Sequence, residues 1–262
     1  AGDMVANLNT EKDFGKLLEY ANTLTGGKAP VMLLRGENET KGAFAAYLPR
    51  ILHNFSSTYN INRLYTTYSA SNLAVIGLDT ATTKSDSDKS YNGFANFDRL
   101  KKEQADWLEN KIAKSFAGNY NIVFANATDL TNVVGTDLTK GFEKHKVQLV
   151  VTAGTETKFA DGGKYYSQAT IGDANALVIT CKDDEISVQS LTDKLADIGT
   201  VDVSAVTYTG EQTTPPIEQN KPNNDNNDTP SDDSEDTSVD DDETIDDDDD
   251  EQDVDDKDED DD

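Results

Sequence analysis

The composition of the chain changes after Thr209, and this change limits how much of it can fold. From Glu211 to Asp262 there are 26 acidic and two basic residues, a net charge of −24. The same stretch has almost no apolar side chains, so it cannot bury enough surface to offset the entropy lost on ordering. The first 210 residues hold 25 acidic and 21 basic residues, a net charge of −4. The sequence therefore predicts a folded domain over 1–209 and a disordered, Asp-rich acidic tail over 210–262.

The negative charge of this tail excludes some classes of binding partner. The phosphates of a nucleic acid would repel it, and so would an anionic membrane surface. We expect it to attract cations or a basic protein, or to act as a solvated spacer. The tail has no EF-hand loop pattern. No run of 18 apolar residues occurs anywhere in the chain, so no transmembrane helix is predicted.

The apolar pattern of the first 209 residues predicts helices alternating with strands. Helical spacing runs from Phe14 to Leu24, over 41–56 and over 100–112, and 129–146 is predicted as loop and helix. Strands are predicted over 30–34, 65–69, 73–78, 121–125, 147–152, 165–170, 176–181 and 186–191. The last three are expected to form one meander with a polar turn at 182–185. This order is typical of a layered α/β fold.

Few residues of the chain carry obvious chemistry. Cys181 is the one cysteine, so an intrachain disulfide is excluded, and its apolar surroundings predict a buried strand thiol. The two histidines, His53 and His145, are predicted to have surface or structural roles. Four Asn-X-Ser/Thr sequons begin at Asn38, Asn54, Asn126 and Asn227.

Several short strings stand at or beside the predicted strands. Gly-Asp-Met-Val occupies 2–5, Leu-Arg-Gly-Glu-Asn-Glu occupies 34–39, and Gln-Ala-Asp-Trp-Leu occupies 104–108. Ile-Val-Phe-Ala-Asn-Ala over 122–127 runs from the predicted strand at 121–125 into the loop after it, and Gly-Thr-Glu-Thr over 154–157 follows the predicted strand at 147–152. In this order, over most of the predicted domain, the strings resemble the motifs of the calcineurin-like metallophosphoesterases. The similarity includes secreted domains of the purple acid phosphatase type.

The resemblance implies a fold and assigns motif positions. The family is a four-layer α/β/β/α sandwich with mixed sheets, and its motifs lie on loops at the carboxyl ends of strands. Asp3 stands where the family has the aspartate that bridges two metals, and Glu37 stands where it has a metal-binding Asn. The upstream Asp-X-His motif and the first strand are missing, so the resemblance implies a domain that is incomplete at its N-terminus.

The resemblance also implies that the reactive positions are degenerate. Where the family has histidines, this chain has Asn38, Asn126, Thr155 and Thr157. The family's chemistry uses two metals that activate a water, and imidazoles supply their nitrogen ligands. We therefore predict no confident catalytic residue and no transition-metal cofactor. Asp3 and Glu37 remain as candidate metal ligands, with Glu39, Glu156 and Asn126 as further polar groups, and oxygens of these kinds suit weak binding of Ca²⁺ or Mg²⁺.

Three functions stay open at this point. The first is a non-catalytic binding or structural module of a secreted or surface protein, which implies an extracellular or cell-surface location. The second is an active metal-dependent phosphoesterase with an atypical, carboxylate-rich site. The third places the function in the tail, as a polyanion that binds Ca²⁺ or a basic protein.

Overall fold

The computed structural model describes residues 2–55, 63–82, 84–89, 93, 96–112, 118–173 and 175–204. The predicted acidic tail and the sequon at Asn227 lie outside these residues. The α-helices of the described part are α1 (Glu11–Thr25), α2 (Leu48–Phe55) and α3 (Phe97–Asp106). Its strands are β1 (Thr66–Ala70), β2 (Leu73–Gly77), β3 (Tyr120–Phe124), β4 (Leu149–Ala153), β5 (Lys158–Asp161), β6 (Ser167–Ile171), β7 (Ala176–Lys182), β8 (Glu185–Leu191) and β9 (Leu195–Asp202).

Six of these strands form one mixed sheet in the order β1-β2-β3-β4-β6-β5. The inner strands β2, β3, β4 and β6 are parallel, and the edge strands β1 and β5 are antiparallel to their neighbours. The centre of the sheet is covered on both faces, and Val123 and Leu149, which face opposite sides, are both completely buried. This explains why β3 and β4 are continuous apolar runs rather than alternating ones.

The second sheet is antiparallel, in the order β7-β8-β9, and packs on one face of the first. Ile186 and Val188 of β8 meet Leu149 and Val151 there. Helix α3 and the π-helical turn Trp107–Lys111 cover the other face. Helices α1 and α2 form a separate apolar cluster. The predicted α/β fold with two sheets is confirmed, and the smaller sheet is antiparallel rather than mixed over its described strands.

Helix α1 shows why the local predictions succeed. Asp13 accepts hydrogen bonds from the Thr10 amide (3.1 Å) and hydroxyl (3.0 Å), which fixes the start of the helix. Gly26 follows the last helical residue with φ of 55°, the left-handed conformation that commonly ends a helix. The predicted hairpin of β1 and β2 and the predicted strands at β3, β4, β7 and β8 are also confirmed.

The predicted strand over 30–34 is wrong. This run forms no strand, and Val31 is 42% exposed. Its side chains instead line an apolar cleft of about 470 Å³ together with Leu73, Val75 and Leu177. An apolar run can meet its need for burial against such a cleft without joining a strand ladder, and Pro30 has no N–H to donate to one.

Three further predictions need correction. The predicted meander is divided, because β6 pairs with β4 and β5 in the larger sheet, whereas β7 and β8 lie in the smaller one. The helix predicted over 41–56 becomes α-helical only at Leu48, where Pro49 fits the first turn. The segment 129–146 contains no α-helix, but it has the 3₁₀ turn Thr139–Gly141 and an isolated bridge between Val133 and Thr136. Strands β5 and β9 were not predicted, since many of their side chains are exposed and polar.

Candidate functional site

The loops that follow β2, β3 and β4 meet at one edge of the larger sheet. These strands are parallel, so their carboxyl ends lie side by side. Thr80, after β2, accepts hydrogen bonds from the amides of Asn126 and Ala127, after β3, both at 2.9 Å. Ligands of open α/β sheets bind at this kind of edge. The candidate site is therefore built on the most buried strands of the molecule.

Three of the predicted site residues come together at this edge. The backbone N–H of Asn38 donates to Asp3 Oδ1 at 2.7 Å, and the side-chain Nδ2 of Asn126 lies 3.5 Å from Asp3 Oδ2. Asp3 is exposed and has φ of 53°. Its neighbour Gly36 must be glycine, because a Cβ there would lie 2.3 Å from the Asp3 nitrogen. The motif strings at 2–5, 34–39 and 122–127 thus share one site.

Glu39 holds this arrangement together in a role that the sequence did not reveal. Its side chain is completely buried. Oε2 accepts from the amides of Asp3 (2.7 Å) and Gly36 (2.6 Å), and Oε1 accepts from Met4 (2.6 Å) and Val5 (3.0 Å). Consecutive amides of this kind form an anion-binding nest, and charge-assisted bonds to it are strong. The chain fills its own nest with a carboxylate.

The other predicted residues have different contacts. Glu37 is exposed, and its Oε1 lies 3.4 Å from Lys41 Nζ. Thr157 Oγ1 accepts from the Gly172 amide (3.0 Å) and from Asn175 Nδ2 (2.8 Å). Thr155 stands on the rim of a polar cavity that Asn126 also lines. Over the described residues, no three His, Cys, Asp or Glu side chains form a group that could hold a metal ion.

His145 is buried, so the surface alternative for this residue is wrong. It is 3% exposed, and its Nε2 lies 2.6 Å from the Leu108 carbonyl oxygen. Burial lowers the pKa of the imidazole, although the bond to Leu108 opposes the shift. The flanking residues Lys144 and Lys146 suggested that His145 is exposed to solvent. Instead, His145 links the turn after α3 to the segment before β4. Its role is structural.

A buried polar network that the sequence did not indicate supports the loop after β2. Arg35 Nε and Nη2 lie 2.9 and 2.8 Å from the two carboxylate oxygens of Asp79. Gln104 Oε1 accepts from the Asp79 amide (2.7 Å), and Gln104 Nε2 donates to the Asp79 carbonyl (3.1 Å). The glutamine that opens the 104–108 string therefore fixes the backbone of a site loop. Sequence alone does not show this role, because Gln104 and Asp79 are 25 residues apart.

Comparisons with known proteins give a limited likeness. No family model matches the chain, and a search of curated proteins finds no match. Among solved structures, purple acid phosphatase PPD1 from yellow lupin (Lupinus luteus) seeds is 11% identical with a TM-score of 0.36, over 60% of this chain and 36% of that one. GAP50, described as the anchor in the inner membrane complex of Plasmodium, is 12% identical with a TM-score of 0.39, over 80% and 75%.

The class that the fold defines is an α/β protein with two packed sheets and a polar site at the carboxyl edge of the larger one. The chain spans about a third of the length of PPD1. Both TM-scores are below 0.5. The strand order and the contacts of the chain itself define its fold. No helix among the described residues is long and apolar enough to cross a membrane.

Proposed function

We propose that the domain is a non-catalytic binding or structural module on a scaffold similar to that of the calcineurin-like metallophosphoesterases, within a secreted or surface protein. The observation that carries the proposal is the bonding at the motif positions. Glu39 accepts hydrogen bonds from four backbone amides. Asp3 accepts one from the backbone N–H of Asn38, and the side-chain Nδ2 of Asn126 lies near its other oxygen. The hydrogen bonds of these polar groups hold the loops together.

The residue types support the same reading. Asn38, Asn126, Thr155 and Thr157 carry amides and hydroxyls, which do not ionise near neutral pH, whereas a general acid or base needs a pKa close to the working pH. Amide and hydroxyl oxygens are also poor ligands for Zn²⁺ or Fe compared with imidazole nitrogen. The alternative is a phosphoesterase that uses Asp3 and Glu37 with Mg²⁺ or Ca²⁺, since these ions prefer oxygen ligands.

Metal analysis and turnover separate these two functions. The full chain is purified, its metal content is measured by mass spectrometry, and hydrolysis of p-nitrophenyl phosphate is followed with added Mg²⁺, Ca²⁺, Mn²⁺ or Zn²⁺. We expect no turnover above buffer, in the natural chain and in Asp3→Asn alike. Bound metal together with hydrolysis that Asp3→Asn abolishes, and that the exposed control Asp161→Asn retains, would establish the phosphoesterase instead.

The acidic tail is a second candidate for function, favoured by its net charge of −24 over 211–262. Dense carboxylates attract cations and basic surfaces. We expect the full chain to bind Ca²⁺ diffusely and weakly, and a chain that ends at Thr209 to lose most of this binding in calorimetric titration. Equal Ca²⁺ binding by the two chains would show that the tail is not the Ca²⁺-binding part.

Protease treatment of intact source cells tests the surface location, because a surface protein is cleaved without lysis.

A further inference from the structure

A cavity of about 510 Å³, whose lining residues are mostly polar, lies beside Asn126 at the carboxyl ends of β3 and β4. The loops after these two strands form most of its wall, and one residue each from β5 and β6 completes it. Its neutral polar lining residues include Asn126, Thr128, Asn132 and Thr155. The volume lies within the range of about 300–1,000 Å³ that is usual for small-molecule sites.

Buried hydrogen bonds fix the floor of this cavity. Thr152 and Thr170 are almost completely buried, and their hydroxyl oxygens are 3.2 Å apart. Gln168 Nε2 donates to Thr152 Oγ1 at 3.1 Å and to the Thr128 carbonyl at 2.9 Å. These bonds join β4, β6 and the loop after β3. The cavity is therefore preformed, which reduces the ordering that a ligand must impose.

The charges of the lining disfavour an anionic ligand. Asp129 and Glu156 are acidic and Lys158 is basic, which leaves one net negative charge. Asp129 Oδ1 accepts from the Thr131 hydroxyl (2.7 Å) and amide (2.9 Å), and these bonds lower the pKa of Asp129 and keep it ionised. The exposed carboxylate of Asp3 adds to the negative charge near Asn126. A phosphate group would meet more like charge than opposite charge.

The remaining chemistry of the lining is that of neutral donors and acceptors. Asparagine and threonine side chains both donate and accept, as sugar hydroxyls do. Thr155, Glu156 and Lys158 stand exposed on the rim, and none forms a side-chain hydrogen bond or ion pair within the described ranges. We infer that this cavity binds a neutral carbohydrate residue. This inference rests on the proposed function, because it names a ligand class for a site that binds without hydrolysis.

The test titrates the full chain, metal-free and expressed in a host without N-glycosylation, because Asn126 begins a sequon at the cavity wall. The ligands are glucose, galactose, mannose, N-acetylglucosamine and their disaccharides, with inorganic phosphate and glucose 6-phosphate as anionic comparators. We expect at least one neutral sugar to bind in calorimetry and both comparators to bind more weakly. Thr155→Val and Glu156→Ala should each weaken sugar binding by about three- to tenfold, the effect of one lost hydrogen bond.

Thr180→Val is the matched control, because Thr180 is exposed on β7 and lies outside the cavity lining. It should bind sugar like the natural chain. Absence of binding for every neutral sugar, preference for phosphate, or unchanged sugar binding in both rim variants would each overturn the inference. Failure of the proposed function would instead show as bound metal with hydrolysis of p-nitrophenyl phosphate, which the metal-free titration does not report.

Discussion

Two glutamates separated by a single residue have opposite roles in the candidate site. Glu37 is exposed and faces Lys41, whereas Glu39 is buried and holds four backbone amides. The motif string placed both residues at the site and left both among the oxygen groups that could hold a metal, but only Glu37 stood at a metal-binding motif position. Sequence alone could not reveal the anchor, because its partners at Asp3, Met4 and Val5 are more than 30 residues away.

The anchor leads to a prediction for a pair of matched variants. Glu39→Gln places an NH₂ group against amides that need an acceptor, so we expect it to lower the free energy of unfolding by about 3 kcal/mol. Glu37→Gln removes only an exposed ion pair and should change it by less than about 0.5 kcal/mol. Urea unfolding of both variants measures the difference. Equal, small effects would show that the Glu39 bonds are not important for stability.

His145 makes the stability of the domain depend on pH. Burial lowers its pKa in the folded state below the unfolded value of 6.5, so the unfolded chain binds more protons in the window just below 6.5. Stability from this residue is therefore full above 6.5 and is lost as the pH falls through that window. His145→Gln keeps a donor for the Leu108 carbonyl and removes the titration. In urea unfolding at a series of pH values, we expect the variant to lose less stability on acidification, whereas parallel losses would contradict the assignment.

At the scale of elements, the prediction from sequence succeeded where local signals agreed with the tertiary surroundings. Helix α1 has its capping pair and its terminal glycine, and β3 and β4 are apolar enough to be buried on both faces. The assignment of β6 failed because sequence spacing cannot tell which sheet a strand joins. The run at 30–34 failed because an apolar run shows that side chains are buried and not that the backbone is paired.

The hairpin of β7 and β8 offers a test of its turn. Asp183 and Asp184 have φ of 52° and 61°, the conformation of a type I′ turn, where glycine is favoured at the second position. Asp184→Gly should raise the free energy of unfolding by roughly 0.5 kcal/mol. Asp193, in the next turn, is not among the residues with positive φ, so Asp193→Gly should lower it by about 0.5 kcal/mol. Thermal and urea unfolding compare the two, and a change of the same sign in both would refute the turn assignment.

At the scale of the whole molecule, the packing between the two sheets is uneven. The larger sheet has six strands and the smaller one has three among the described residues. Near β8 the packing is complete, with Leu149, Ile186 and Val188 fully buried. Near β2 and β7 the two sheets border the apolar cleft of about 470 Å³, which Pro30 and Val31 also line. The sequence predicted a two-sheet sandwich but not this uneven packing, which depends on which strands face each other.

This unevenness predicts different costs for the same truncation. Leu149 is fully buried between the sheets, so Leu149→Ala should leave a cavity and lower the free energy of unfolding by about 3 kcal/mol. Leu177 is half-buried beside the cleft, where solvent already reaches its neighbours, and Leu177→Ala should cost only about 1 kcal/mol. Urea unfolding of the full chain measures both. Equal costs near 3 kcal/mol would mean that the cleft is filled and closed in solution, and the sheets would then pack as tightly at β7 as they do at β8.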